Sequence, residues 1–76
     1  MEYRERATQL QEETVLSDRE AEVVALRAQG QTYRQVAQEL NMSPQAAHAH
    51  ARRAGEKAQQ AEQTVDVLKR IGFIED

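Results

Sequence analysis

Few side chains in this 76-residue chain could carry out catalysis or bind a metal ion. His48 and His50 are two residues apart, which separates them by about 200° around a helix. They therefore cannot bind one metal ion together as an i, i+4 pair would. Glu12 and Glu13 are adjacent, and we interpret them as the solvated end of a helix rather than as an acid–base pair. The sequence thus predicts neither an enzyme nor a site for a metal ion or another cofactor.

A different chemistry, hydrogen bonding to the edges of DNA bases, is available in the segment 44–54. Glutamine can pair with adenine, arginine with guanine, and an alanine methyl can pack on the methyl of thymine. On a helix, four candidate side chains share one face, here named the reading face: Gln45, His48, Ala49 and Arg52. Residues 31–54 carry a net charge of +2, while residues 1–30 carry −3 and residues 55–76 carry −2. The sequence predicts that the reading face contacts DNA.

The composition favours helices as the elements that position this face. Alanine, glutamine and glutamate dominate, and one proline with three glycines leaves few breaks. The chain has no cysteine, so disulfides and thiolate-bound zinc cannot reinforce the small core of a single domain. Oligomerisation is the remaining source of extra stability. With no long apolar run and no signal peptide, we expect an all-α protein of the cytoplasm that does not enter a membrane.

Hydroxyl residues mark the starts of three helices. Ser17 and Thr32 are each followed three residues later by Glu or Gln, which is the spacing of a capping box. Ser43 precedes a proline, which suits the first position of a helix. Gly30 can adopt a left-handed backbone and predicts the end of the first of these helices. The pattern therefore predicts helices that begin at residues 18, 33 and 44.

The second and third of these helices are spaced as in a helix-turn-helix. The close crossing of the two helices needs a small residue, which is Ala37, and the turn needs a residue that tolerates positive φ, which is Asn41. Met42 and Ala47 supply the apolar positions that follow. The sequence predicts a helix-turn-helix, with the segment 44–54 as its second, DNA-facing helix.

Two further helical segments flank this hairpin. The sequence predicts a helix at residues 2–13, although its apolar pattern is weaker than in the other helices. Past Gly55, apolar and small residues continue one face of the third helix in steps of four and three, and we name this row the seam: Ala54, Ala58, Ala61, Val65, Leu68 and Gly72. Gly55 either lies within one long helix or breaks it.

The seam has two possible partners. Either the helix 2–13 folds back on it within one chain, or a second copy pairs with it. We expect the second arrangement, a homodimer, with an interface formed by Ala58, Ala61, Val65 and Leu68. Three large apolar residues beyond the seam have no assigned pocket: Ile71, Phe73 and Ile74.

Nine positions from residue 16 to residue 43 carry a resemblance to a known family. They follow the pattern leucine, Ser/Thr, glutamate, an apolar helix, glycine, and a hairpin ending in serine: Leu16, Ser17, Glu20, Val23, Gly30, Val36, Ala37, Leu40 and Ser43. This pattern resembles the DNA-binding domain of LuxR-type regulators and of sigma-factor region four. His50, Lys57 and Ala58 match the recognition-helix histidine of the LuxR-type pattern and its following basic and apolar residues. Including AEQTVDVLKR, roughly residues 14 to 70 are similar to archaeal Tfx-type transcription regulators.

Two departures from these families affect the interpretation. The pair Ala46-Ala47 stands where relatives usually have a β-branched pair, which thins the core and leaves few side chains for base edges. The net charge is −3, which weakens the non-specific attraction to phosphates.

The sequence therefore predicts a sequence-specific DNA-binding transcription regulator that acts as a homodimer on double-stranded DNA and is nucleoid-associated. We expect an N-terminal helical extension at 1–13, a helix-turn-helix domain at 14–55 and a dimerisation helix at 56–76. Contacts with bases are assigned to the reading face, and contacts with phosphates to Arg34, Ser43 and Arg53. The alternative is a helical adaptor without its own DNA specificity, which would bind the transcription machinery, for example RNA polymerase.

Overall fold

Within residues 2–75, four α-helices joined by short turns form the fold. The computed structural model describes residues 2–75. The helices are α1 (Tyr3–Glu13), α2 (Asp18–Ala28), α3 (Tyr33–Leu40) and α4 (Pro44–Arg70). The predicted all-α class, with a three-helix core, an extended C-terminal helix and a short N-terminal helix, is confirmed. Among residues 2–75, none of the helices has the length and apolar character needed to span a bilayer.

The predicted caps start three of the helices. The Ser17 hydroxyl accepts a hydrogen bond from the Glu20 backbone N–H at 3.3 Å, and the Glu20 carboxylate accepts one from the Ser17 N–H at 3.0 Å. Thr32 forms the same reciprocal pair with Gln35. The Ser43 hydroxyl accepts from the Ala46 N–H at 3.1 Å. Each cap satisfies backbone donors that would otherwise lack partners at a helix start.

Residues with a left-handed backbone follow the ends of α2 and α3. Gly30 has φ of 90° and Asn41 has φ of 56°. At Asn41 the chain turns so that the Met42 N–H donates to the Ala37 carbonyl at 2.9 Å, which closes a Schellman motif. This turn directs the chain into α4, and the sequence-based prediction for Asn41 is confirmed.

The core lies on the two sides of α2. On one side, α3 and the start of α4 pack against α2 around a cluster of buried residues: Val23, Leu26, Val36, Ala37, Leu40 and Ala47. On the other side, Ala7 of α1 packs against Ala21 and Ala25 of α2. The alanine side chains let the helices approach closely. Helix α2 lies between α1 on one side and α3 with α4 on the other, so it belongs to both parts of the core.

The α4 helix is continuous through Gly55, so the helix does not break there. Its first eleven residues bury Ala47 and Ala54, whereas no residue from 55 to 70 is buried. Since α1 packs on α2, the alternative in which the helix at 2–13 covers the seam is wrong. The second half of α4 therefore extends away from the core, and the described residues span 46 × 24 × 18 Å.

Candidate DNA-binding surface

The first turns of α4 present the reading face to solvent. Gln45, His48 and Arg52 are exposed, and Ala49 is half-buried beside them. The other side of the same turns is held in the core by Ala47, which is fully buried, and by Ala54. The helix is thus fixed by its alanine side while its polar side remains accessible to a ligand.

The residues assigned to phosphates are all exposed. Arg34 is exposed in the first turn of α3, and Arg53 is exposed next to Arg52. Ser43 is exposed at the start of α4, where its oxygen already accepts the bond from Ala46. Because the positive end of the helix dipole also lies there, the N-terminus of α4 suits a phosphate. Contacts between these residues and DNA stay predictions.

Three side chains from three helices meet at the edge of the reading face. The Tyr33 ring, at the start of α3, lies with its centroid 4.9 Å from that of His48 and at 60° to it. The guanidinium carbon of Arg27, on α2, lies 4.3 Å from the Tyr33 ring centroid. An Nη of Arg27 also donates to the Gln31 carbonyl at 2.7 Å. The sequence did not predict this cluster, because its three members lie on three different helices.

A partly buried ion pair joins α4 to α2. The Lys57 Nζ donates to the Glu20 carboxylate at 2.6 Å and to the Val15 carbonyl at 3.2 Å. The Glu20 side chain is 6% exposed, so the ion pair is shielded from water on one side. The hydrogen bond from Lys57, with the backbone bond from Ser17, lowers the pKa of Glu20 below its ordinary value of 4.5.

The sequence predicted the capping role of Glu20 but not its partner. Glu20 and Lys57 are 37 residues apart in the chain, beyond the reach of any local pattern. The only available signal was that Lys57 matches a basic position of the LuxR-type pattern. The pair ties α4 to α2 just beyond the segment 44–54 that carries the reading face.

Beyond Ala54, which is buried, the seam lies open to solvent in the single chain. Ala58, Ala61 and Val65 are exposed and Leu68 is half-buried, so all four predicted interface residues are accessible to a partner. The beginning of the seam borders an apolar groove that the turn between α1 and α2 closes on one side. It is lined chiefly by Val15, Leu16, Val24, Ala51, Ala54, Ala58 and Ala61.

Within the described part of the chain, residues 2–75, no three His, Asp or Glu side chains are close enough together to hold a metal ion. His48 and His50 lie on different sides of α4, His48 exposed and His50 half-buried. The chemistry that the accessible residues offer is hydrogen bonding and charge, both suited to a polyanion.

Comparison with known proteins yields one family. Residues 14–69 match the family model GerE, described as bacterial regulatory proteins, luxR family. The match covers more than half of the chain and includes α2, α3 and nearly all of α4. No curated protein and no solved structure matches the chain significantly.

Proposed function

The chain belongs to the luxR family of bacterial regulatory proteins, whose helix-turn-helix domain serves DNA-binding transcription regulation, and we propose that it reads a specific DNA sequence as a homodimer. The observation that carries this proposal is the reading face, which is polar and exposed on a helix whose opposite side is buried in the core. A helix held in this way can enter the major groove without rearrangement of the fold.

The proposed contacts follow the chemistry of each side chain. Gln45 pairs with adenine, Arg52 pairs with guanine, and His48 donates to a base acceptor. The Ala49 methyl packs on thymine. Phosphate contacts from Arg34, Ser43 and Arg53 hold the helix in register along the groove. In this proposal, 14–55 is the DNA-binding part, and 1–13 and 56–76 support it.

The homodimer forms through the seam. Val65 is 42% exposed in the single chain, and the helix that could have covered the seam packs elsewhere. With a rise of about 1.5 Å per residue, a two-fold axis at the middle of the interface 58–68 lies about 22 Å from His48 along α4. Two α4 helices that cross at an angle there place their reading faces within about 45 Å of each other, a range that includes the spacing of about 34 Å for one turn of DNA.

Light scattering tests the dimer at micromolar concentration. We expect the mass of two chains for the wild type and of one chain for Val65→Glu, because the substitution buries a charge in the proposed interface. The matched control is Gln59→Glu, also on the second half of α4 but off the seam, which should remain dimeric. A wild type with the mass of one chain would overturn the dimer.

The finer similarity to archaeal Tfx-type regulators is also part of the proposal. The resemblance implies that in those proteins an Ala/Glu-rich helix follows the helix-turn-helix hairpin directly. The uninterrupted course of α4 from Pro44 to Arg70 supports this relation. We also propose that the protein is located in the cytoplasm and is associated with the nucleoid.

A protein-binding adaptor is the second candidate function. Ile71 and Phe73 are 69% and 76% exposed just beyond α4, and the net charge is −3. Exposed apolar side chains of this size suit a protein partner such as a polymerase subunit. If the protein is an adaptor, the reading face contributes no DNA specificity of its own.

A fluorescence anisotropy titration with mixed genomic DNA fragments, repeated at several salt concentrations, separates the two functions. A regulator that contacts about four to six phosphates should bind at low salt, and log K should fall by about 0.9 per contact against log salt. No binding at low salt would contradict DNA binding and leave the adaptor.

A further inference from the structure

The cluster of Tyr33, His48 and Arg27 places a fixed aromatic ring beside a side chain of the reading face. His48 is exposed, and an exposed side chain ordinarily samples several rotamers. Here its ring centroid lies 4.9 Å from that of Tyr33, within the range of favourable aromatic pairs. The contact with the Tyr33 ring therefore favours this orientation of the His48 imidazole over its other rotamers.

Tyr33 is itself held firmly. It is the first residue of α3, directly after the capping box of Thr32, and its side chain is half-buried against the cluster that contains Val36 and Leu40. The Arg27 guanidinium packs on the ring with its carbon 4.3 Å from the centroid, and its bond to the Gln31 carbonyl anchors it. Cation–π contact of this kind further restricts the ring.

Ordering a side chain at an interface costs free energy at the moment of binding, and a side chain that is already ordered avoids this cost. Resting on the proposed function, we propose that Tyr33 is a positioning residue that orients His48 for its contact with a base, and that Arg27 clamps Tyr33 in place. The reading surface thus depends on α2 and α3 as well as on α4. Tyr33 acts through its ring rather than through its hydroxyl.

A double-mutant cycle on DNA binding tests this role. A preferred site is first selected from a random DNA library with the wild-type protein, and its Kd is measured by anisotropy. We expect Tyr33→Leu to weaken binding about three- to tenfold, and Tyr33→Phe, which keeps the ring, to stay within about twofold of the wild type. In a His48→Ala background, Tyr33→Leu should change the Kd by less than about twofold.

Three outcomes of the cycle would overturn the positioning role. An equal loss from Tyr33→Leu with and without His48 makes Tyr33 a structural residue only. A loss from Tyr33→Phe as large as from Tyr33→Leu shows that the ring is not what matters. Absence of any wild-type DNA binding removes the proposed function together with this inference, whereas wild-type binding with no coupling removes this inference alone.

NMR of the free wild-type protein keeps the proposal testable if Tyr33→Leu does not fold. The ring protons of His48 should show a ring-current shift from Tyr33, which Arg27→Gln should reduce. His48 signals at the positions of a freely rotating, solvent-exposed histidine would overturn the proposal.

Discussion

The two halves of α4 share one unbroken backbone but have opposite environments. The first half, residues 44–54, is packed on the core and buries Ala47 and Ala54. In the second half, residues 55–70, only Lys57 and Leu68 are even half-buried. The first half is therefore positioned by tertiary packing, whereas the second half, beyond the bonds from Lys57 to Glu20 and Val15, is positioned by its covalent continuity with the first.

This difference shows how an exposed helix can persist without a partner in the same chain. Helix nucleation is costly, but extension of an existing helix adds one hydrogen bond per residue. The packed half supplies the nucleus. At the far end, Gly72 has φ of 82° and the Phe73 N–H donates to the Leu68 carbonyl at 2.9 Å, which closes the last turn. Lys69 and Arg70 lie in that turn, where positive charges interact favourably with the negative end of the helix dipole.

The largest expected effect is on stability, and it should differ when the same substitution, alanine to leucine, is made in each half of α4. Ala47→Leu adds three carbons to a site with no exposed surface and should lower the free energy of unfolding by about 1–3 kcal/mol. Ala61→Leu places the same side chain on the exposed seam and should leave stability unchanged or raise it. Urea denaturation at one fixed protein concentration measures both. Equal losses at the two sites would contradict the contrast between the halves.

DNA affinity should respond to the first half alone. Arg52→Ala removes a proposed guanine contact and should weaken binding to a preferred site by about 1–3 kcal/mol while helicity is retained. Gln60→Ala in the second half is the matched control and should leave the Kd unchanged. Anisotropy with the preferred site and with an unrelated duplex measures both effects. An equal loss on the two duplexes would reassign Arg52 to a phosphate.

The ion pair between Glu20 and Lys57 joins α2 to the beginning of the second half of α4, and its removal should lower the stability of the fold. Glu20→Gln loses a charge-assisted hydrogen bond and should cost about 1–2 kcal/mol at neutral pH. Lys57→Met should cost more, because it leaves the buried carboxylate without its partner. Thermal unfolding followed by circular dichroism gives the order of the two variants. The reverse order would contradict the buried environment of Glu20.

The same pair gives a pH dependence with a defined sign. The pKa of Glu20 is lower in the folded chain than its ordinary value of 4.5, so the unfolded chain binds more protons in acid. The stabilisation is complete above the ordinary glutamate range and is lost as the pH falls through the lowered pKa. The wild type should therefore lose more stability than Glu20→Gln on acidification from about pH 6 to about pH 3. Parallel curves for the two proteins would contradict this linkage.

The smallest expected effect lies at the boundary of the two halves. A Cβ added at Gly55 would meet no atom within 4 Å, and the residue is in the interior of a helix. Gly55→Ala should therefore stabilise the protein by about 0.5–1 kcal/mol by reducing the entropy of the unfolded chain. Urea denaturation measures the gain. A loss of stability would contradict this expectation and would mean that α4 needs the flexibility of a glycine at residue 55.

The sequence predicted best what depends on neighbours within four residues. Ser17, Thr32 and Ser43 located three helix starts, and Asn41 located the turn, because caps and turns are local hydrogen-bonding problems. It did not predict that α1 packs on α2, because the apolar spacing of a helix identifies its buried face but not its partner. For the same reason, the contacts of Glu20 with Lys57 and of Tyr33 with His48 became visible only in three dimensions.

The unbroken course of α4 gives the reading face and the seam a fixed angular phase. One residue inserted after Gly55 would rotate the seam by about 100° relative to the reading face and disrupt any symmetric pairing of two copies on DNA. Seven inserted residues would restore the phase to within about 20° and lengthen the arm by about 10 Å. In the proposed dimer, the register of the protein on DNA therefore depends on the number of residues along this helix as much as on their identity.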